Sequence, residues 1–242
     1  MTSRAQAVKL TETGPVSVVI AARNEASSIA ATVGAVSGLP HVSEVIVVDD
    51  WSSDDTAVRA REAGAAVLRP PVHTGKGGAL KHGVKAATGR VILFLDGDLG
   101  DSAREAARLL DPVLEGRADM CLGKLVKADP QPQPGDRRGG FGLVKGLARW
   151  GTSKLGGLAL EEPLSGQRAL LREVLERIPA MESGFGVETA LNIDVGRLGL
   201  KVVEVPVRIR HRVTGRDLSG FLHRGRQFAA VAGVLLKRAV RR

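Results

Sequence analysis

Over the first hundred residues the chain switches repeatedly between two hydrophobic periods. Residues 16–22 (VSVVIAA), 44–50 (EVIVVDD), 66–69 (AVLR) and 90–96 (RVILFLD) are short, nearly continuous apolar runs rich in β-branched residues. Such runs mark strands buried on both faces. Between them, residues 27–39, 54–63 and 77–87 carry apolar residues at three- and four-residue spacing and stop near Pro40, Gly64 and Gly89, which predicts helices. Strand and helix in alternation predict an α/β fold, with a mostly parallel central sheet flanked by helices.

The pattern loosens after Asp98. Residues 102–115 read as a helix and 118–125 as a strand. Residues 128–142 hold three prolines and four glycines and read as a loop of the kind that closes over sites. Helices are expected over 143–155, 169–178 and 187–198, a strand over 200–210, and an amphipathic helix over 218–242. No repeat or linker divides the chain, so it reads as one domain over 1–242. Residues 14–100 form a nucleotide-binding half, 101–217 an acceptor half, and 218–242 a basic helical end.

The strand ends change this from a fold into a candidate site. Parallel sheets bind ligands beyond their strands' carboxyl ends. Here those ends carry Arg23-Asn24-Glu25, Asp49-Asp50 and Asp96-Gly97-Asp98, which must therefore converge on one edge. Two carboxylates one residue apart after a buried strand suit a hard divalent cation, Mg2+ or Mn2+, which would neutralise a diphosphate leaving group. Asp50 is placed to accept a ring N–H of a pyrimidine base. Ser52, Ser53 or Asp54 can cap the helix that follows. Thr74-Gly75-Lys76-Gly77-Gly78 opens a helix with glycines and a cation, a weak phosphate signal that lacks Walker A spacing.

The net charge of +9 is local. Between Arg208 and Arg242 there are ten Lys or Arg and one acid, and the remainder of the chain balances. That distribution argues against nucleic acid as a partner. It suggests a phosphate-bearing substrate or an anionic membrane surface. The single cysteine, Cys121, excludes an internal disulfide and reads as a core residue in a cytoplasmic protein.

The ordered blocks VVIAARNE, VIVVDDWSSDDT, GKGGAL and VILFLDGDL resemble the nucleotide-sugar half of family 2-like glycosyltransferases with the GT-A fold. The resemblance implies that Ala21, Arg23 and Glu25 line the nucleoside pocket and that Asp50 meets the uracil. It places Lys76 near base and phosphates, and Asp96 and Asp98 at ribose and metal. The sequence departs from the family pattern at Trp51, where glycine is usual.

The second half resembles two subfamilies. The run from Glu162 to Arg168 (EPLSGQR), then LREVL and VEVPV, is similar to dolichol- or polyprenyl-phosphate sugar transferases. GFGVE, continuing to Ile193-Asp194 and RLGL, is similar to glucosyl-3-phosphoglycerate synthases. The latter implies Glu188 near acceptor and sugar, in a catalytic role with Asp98, and His211 as a further metal ligand beside Asp98. Gly123, Lys124, Ser165, Gly166, Arg168 and Arg210 are candidates for the substrate site. Lys124, Arg168 and Arg210 lie where an acceptor phosphate would enter.

The function expected is metal-dependent transfer of a sugar, glucose foremost, from a UDP-sugar to 3-phosphoglycerate or polyprenyl phosphate. A nucleotidyltransferase is the remote alternative. Leu218, Phe221, Leu222, Phe228, Ala232, Leu235 and Leu236 form an expected apolar stripe, flanked by cations including Lys237 and Arg238. The stripe would either contact a membrane surface or pack on the sheet. A second copy of the chain is a candidate partner.

Overall fold

The computed structural model describes residues 14–126, 141–179, 181–209 and 218–240, the last of these by backbone alone over 218–224. Four parallel strands build the first half: β1 (Val16–Ala22), β2 (Val42–Asp49), β3 (Ala66–Leu68) and β4 (Val91–Asp96). They alternate with α1 (Ile29–Ser37), α2 (Thr56–Glu62) and α3 (Gly75–Ala86). Val18, Val19, Ile20, Val47 and Leu93 are inaccessible to solvent, as expected for strands covered on both faces.

In the second half a 3₁₀ segment, Gly100–Ala106, leads into α4 (Ala107–Leu114). β5 (Met120–Leu125), α5 (Phe141–Gly156), β6 (Arg168–Leu171) and α6 (Arg172–Arg177) follow. The chain continues through α7 (Val187–Arg197), β7 (Val202–Val207) and α8 (Leu218–Val240). The strands form one seven-stranded sheet ordered β3-β2-β1-β4-β6-β5-β7. Only β6 runs against its neighbours, pairing antiparallel with β4 and β5.

Three expectations are corrected. Residues 169–178 are not one helix: Arg168–Leu171 is the antiparallel strand, and a six-residue helix follows. A four-residue apolar run has no readable period, and pairing with Phe94 and Leu122 on either side decides its state. The stretch expected to be loop through Gly142 gives way to helix at Phe141; residues 128–140 lie outside the described residues. The expected helix over 102–115 is divided by the 3₁₀ segment.

The end of the chain also differs from its expected pattern. α8 buries Val231, Val234, Leu235 and Arg238 against α5 and α7, while Phe228 and Leu236 of the expected stripe are exposed. The Arg238 guanidinium forks onto Asp194, with Nε and Nη2 each 2.8 Å from a carboxylate oxygen. Its Nη1 lies 2.9 Å from Glu182, and Lys237 pairs with the same carboxylate at 3.0 Å. Arg238 is thus turned into the fold, while Lys237 stays exposed beside Glu182. Cys121 is buried core as expected. Burial, which disfavours the thiolate, pushes its pKa up to about 12.

Candidate active site

The carboxyl ends of β1, β2 and β4 open into a cavity of about 820 Å³. Loop-to-loop hydrogen bonds set its edge. Asn24 N–H donates to Ser52 Oγ (2.9 Å), and Glu25 N–H to Thr56 Oγ1 (2.8 Å). Ala26 N–H donates to Asp54 (3.2 Å), and Ser53 N–H to Asn24 Oδ1 (2.8 Å). The polar run after β2 therefore ties the loop bearing Arg23 and Glu25 in place. The same run caps α2 as expected: Asp54 Oδ1 accepts from the N–H of Thr56, the helix's first residue, at 3.1 Å.

Asp50 is 4% exposed and accepts from Thr74 N–H at 2.7 Å. Its other oxygen lies 2.8 Å from His73 Nδ1. His73 Nε2 lies 3.0 Å from Arg23 Nη1, so a tautomer protonated at Nδ1 satisfies both contacts. Holding this tautomer takes an acidic neighbour, and none lies within ten positions of His73 in the chain. Asp50, 23 positions earlier in the chain, is that neighbour.

Lys76 lines the cavity between two carboxylates. Its Nζ is 2.6 Å from Asp96 and 2.9 Å from Glu188. Burial works against the ammonium, but the two carboxylates outweigh it and raise the pKa above the ordinary lysine value. Two glycines make this approach feasible. A Cβ on Gly166 would lie 2.6 Å from both Lys76 Nζ and an Asp96 oxygen, and one on Gly77 would lie 1.9 Å from the Glu182 carbonyl oxygen. α3 can thus start directly against the segment that leads into α7.

Of the expected residues, Ala21, Arg23, Glu25, Asp50, Lys76, Asp96, Asp98, Ser165, Gly166 and Glu188 line this one cavity. Gly123, Lys124 and Arg168 do not. Gly123 packs on Val207 within the sheet, and Lys124 is paired with Glu161 at 2.7 Å outside the cavity. Arg168 is 2% exposed, and its guanidinium is bonded to the Ser165 carbonyl and to Asn192. That placement corrects its reading as a residue touching substrate. Arg210 and His211 lie outside the described residues.

The cavity also takes in residues that the sequence reading missed: Lys145, Gln167, Phe185, Arg226 and Gln227. Gln167 and Phe185 lie within the EPLSGQR and GFGVE blocks and Arg226 within the basic end, while Lys145 carried no sequence signal. Helix packing brings Lys145 and Arg226 to the site. Among the described residues no cluster of three or more His, Cys, Asp or Glu is arranged to hold a metal. The donor chemistry nonetheless suits a hard cation, since Asp98 offers carboxylate oxygens at the cavity wall beside Asp96. Among the described residues no helix is long and apolar enough to cross a membrane.

Trp51 adopts φ +67°, a left-handed conformation that bulky residues rarely take and glycine takes readily. The fold compensates through the ring. Indole Nε1–H donates to the Pro70 carbonyl at 3.0 Å, and Arg69 sits 5.2 Å over the ring centroid. Trp51 is not among the residues that line the cavity.

Comparison with known proteins agrees with this geometry. The family model described as Glycosyl transferase family 2 matches residues 17–177. The chain is 33% identical over 231 residues to glucosyl-3-phosphoglycerate synthase of Mycobacterium tuberculosis, covering 86% of this chain and 70% of that protein. It is 29% identical over 214 residues to undecaprenyl-phosphate mannosyltransferase of Micrococcus luteus, covering 82% and 85%. A crystal structure of the M. tuberculosis synthase with Mn2+, UDP-glucose and phosphoglyceric acid is similar with a TM-score of 0.75 and 30% identity, over 98% of this chain and 85% of that one. The complex of that protein with Mg2+ and UDP gives a TM-score of 0.77 at 30% identity, over 98% and 84%. With its strand-end carboxylates gathered on a mixed sheet of GT-A type, the chain belongs to glycosyl transferase family 2 and is a glycosyltransferase.

Proposed function

We propose that the chain transfers glucose from UDP-glucose to 3-phosphoglycerate. The observation that carries this reading is the joining of both halves at Lys76. One cation touches Asp96 at a donor-side strand end and Glu188 at the start of α7, in a fold shared with a synthase solved with UDP-glucose and phosphoglyceric acid.

In this reading Ala21, Arg23 and Glu25 surround the nucleoside, and Asp50, held by Thr74 and His73, receives the uracil N–H. Asp96 faces the ribose. Asp98, with His211, would hold Mg2+ or Mn2+, which supplies positive charge to the diphosphate when bound. Lys76 adds a fixed charge on the same side, where negative charge grows as the glycosidic bond breaks. Ser165 and Gly166 form the wall beside the sugar. Glu188 orients the acceptor hydroxyl toward the anomeric carbon, and much of the acceleration comes from that positioning. Lys145 and Arg226 favour an anionic acceptor at the helical end of the cavity. The resemblance to the phosphoglycerate enzymes implies retention at the anomeric carbon.

Polyprenyl phosphate is the second acceptor reading. It is supported by the similarity to the M. luteus mannosyltransferase and by exposed Phe228 and Leu236 on α8. It implies inversion and work at a membrane surface. The test is to incubate the protein with Mn2+ and UDP- or GDP-sugars, offering 3-phosphoglycerate and a polyprenyl phosphate separately. Glucose appearing only on phosphoglycerate is the expected result. Product only on the lipid phosphate, with binding to anionic liposomes, would replace it.

A further inference from the structure

An arginine in the middle of a central strand is costly unless its charge is matched and its donors are satisfied. Arg168 lies in register between Phe94 and Leu122 and is almost completely buried. Its guanidinium donates to the Ser165 carbonyl and, at 3.1 Å, to Asn192 Oδ1. Asn192 is itself inaccessible to solvent and donates Nδ2–H to the Pro163 carbonyl at 2.8 Å. The two side chains thus pin the segment that walls the cavity from behind. Two positions on from Ser165, Gln167 Nε2–H donates to Asp96 at 2.8 Å. Asp96 holds Lys76, and Lys76 holds Glu188.

Glu188 and Asn192 are four positions apart on α7, on one face of the helix. The contacts therefore close into a ring: from α7 through Asn192 and Arg168 to the wall, through Gln167 to Asp96, through Lys76 to Glu188, and back to α7. A ring anchored twice on one rigid helix fixes the separation of its members, because no link can shift alone. We propose that Arg168 and Asn192, which touch no substrate, are positioning residues that set the donor-side Asp96–Lys76 pair against the acceptor-side Glu188.

Charge supports the same role. Burial pushes the Arg168 pKa down to about 10, with Glu188 and Asp96 acting against that fall, so the guanidinium stays charged at neutral pH. It balances the two carboxylates without bonding to either. The proposal rests on the reading that the chain uses a UDP-sugar.

The test uses the full chain and the variants Arg168→Met, Arg168→Lys and Asn192→Ala. Titration with UDP and Mn2+ counts the competent sites, and release of UDP from UDP-glucose is measured per competent site. Arg168→Met and Asn192→Ala are expected to lower turnover per site fivefold or more, with a smaller change in KM. Arg168→Lys recovers part of the loss, because an ammonium keeps the charge and one of the two bonds. A merely structural role reduces the number of competent sites and the melting temperature but changes turnover per site less than fivefold, and that result overturns the proposal. If Arg168→Met does not fold, Asn192→Ala decides on the same threshold. UDP release is read with and without each acceptor. A wild-type chain that hydrolyses UDP-glucose but glucosylates neither phosphate refutes the acceptor reading and still permits the per-site comparison.

Discussion

The two halves of the molecule reach the same cavity by different routes. At β1, β2 and β4, Ala21, Arg23, Glu25, Asp50, Asp96 and Asp98 stand within three positions of a strand's carboxyl end. In the other half, Gln167 stands just before the strand that runs against the rest, Glu188 comes from the first turn of α7, and Lys145 and Arg226 come from α5 and α8. The first arrangement is local, and each side chain depends mainly on its own strand and loop. The second is collective, because each position depends on how three helices pack. A substitution in the first region should therefore remove one chemical function cleanly, and one in the second should spread through the packing.

The sharpest probe of the local side is Asp98→Ala. Loss of about 10³-fold in glycosyl transfer is expected, the scale of removing one preorganised charge interaction, with an unchanged melting temperature. A variant that keeps wild-type turnover would break the comparison at its strongest point. Arg238→Met probes the collective side. It strands Asp194, which is 5% exposed, and removes a partner of Glu182, the residue whose backbone abuts Gly77. Breaking a buried pair costs about 3–5 kcal/mol, seen as a fall of ~10 °C in melting temperature. An unchanged melting curve would show that α8 is not held by this contact.

Trp51→Gly should do much less, because opposing effects nearly cancel. Relief of the left-handed backbone is worth about 1–3 kcal/mol, while loss of the Arg69 contact costs ~0.5–1 kcal/mol, with the indole hydrogen bond and the ring's burial against it. Denaturant unfolding should place the variant within about 1 kcal/mol of the parent. A larger destabilisation would mean that the ring is part of the packing.

The smallest effect concerns pH. The Lys76 pKa is raised by Asp96 and Glu188, so its charge and the stability it contributes are fully present below the ordinary lysine pKa. They are lost only as pH rises through the still higher folded value. The pH–rate profile should show no descending limb from Lys76 at neutral or mildly alkaline pH. A Lys76→Arg variant that abolished a limb found there would contradict this assignment.

The sequence alone determined the α/β class, strands β1 to β4 and their helices, and the convergence of the strand-end acids. Continuous β-branched runs closed by Gly or Pro leave few alternatives, and a parallel sheet places its carboxyl ends on one edge whatever the details of packing. The two halves meeting at Glu188 were legible only through the resemblance of GFGVE. Tertiary structure decided the rest. RALL became a strand because β4 and β5 offered unpaired edges on both sides of it. His73 gained a role from an aspartate distant in the chain, and Arg168 proved to lie behind the wall of the site. Which described members of the α8 stripe are buried followed from α5 and α7: Leu235 is covered, while Phe228 and Leu236 are exposed. Periodicity records what a segment prefers to bury; which neighbours it meets, and which charges those neighbours can satisfy, is settled by contacts between residues far apart in the chain.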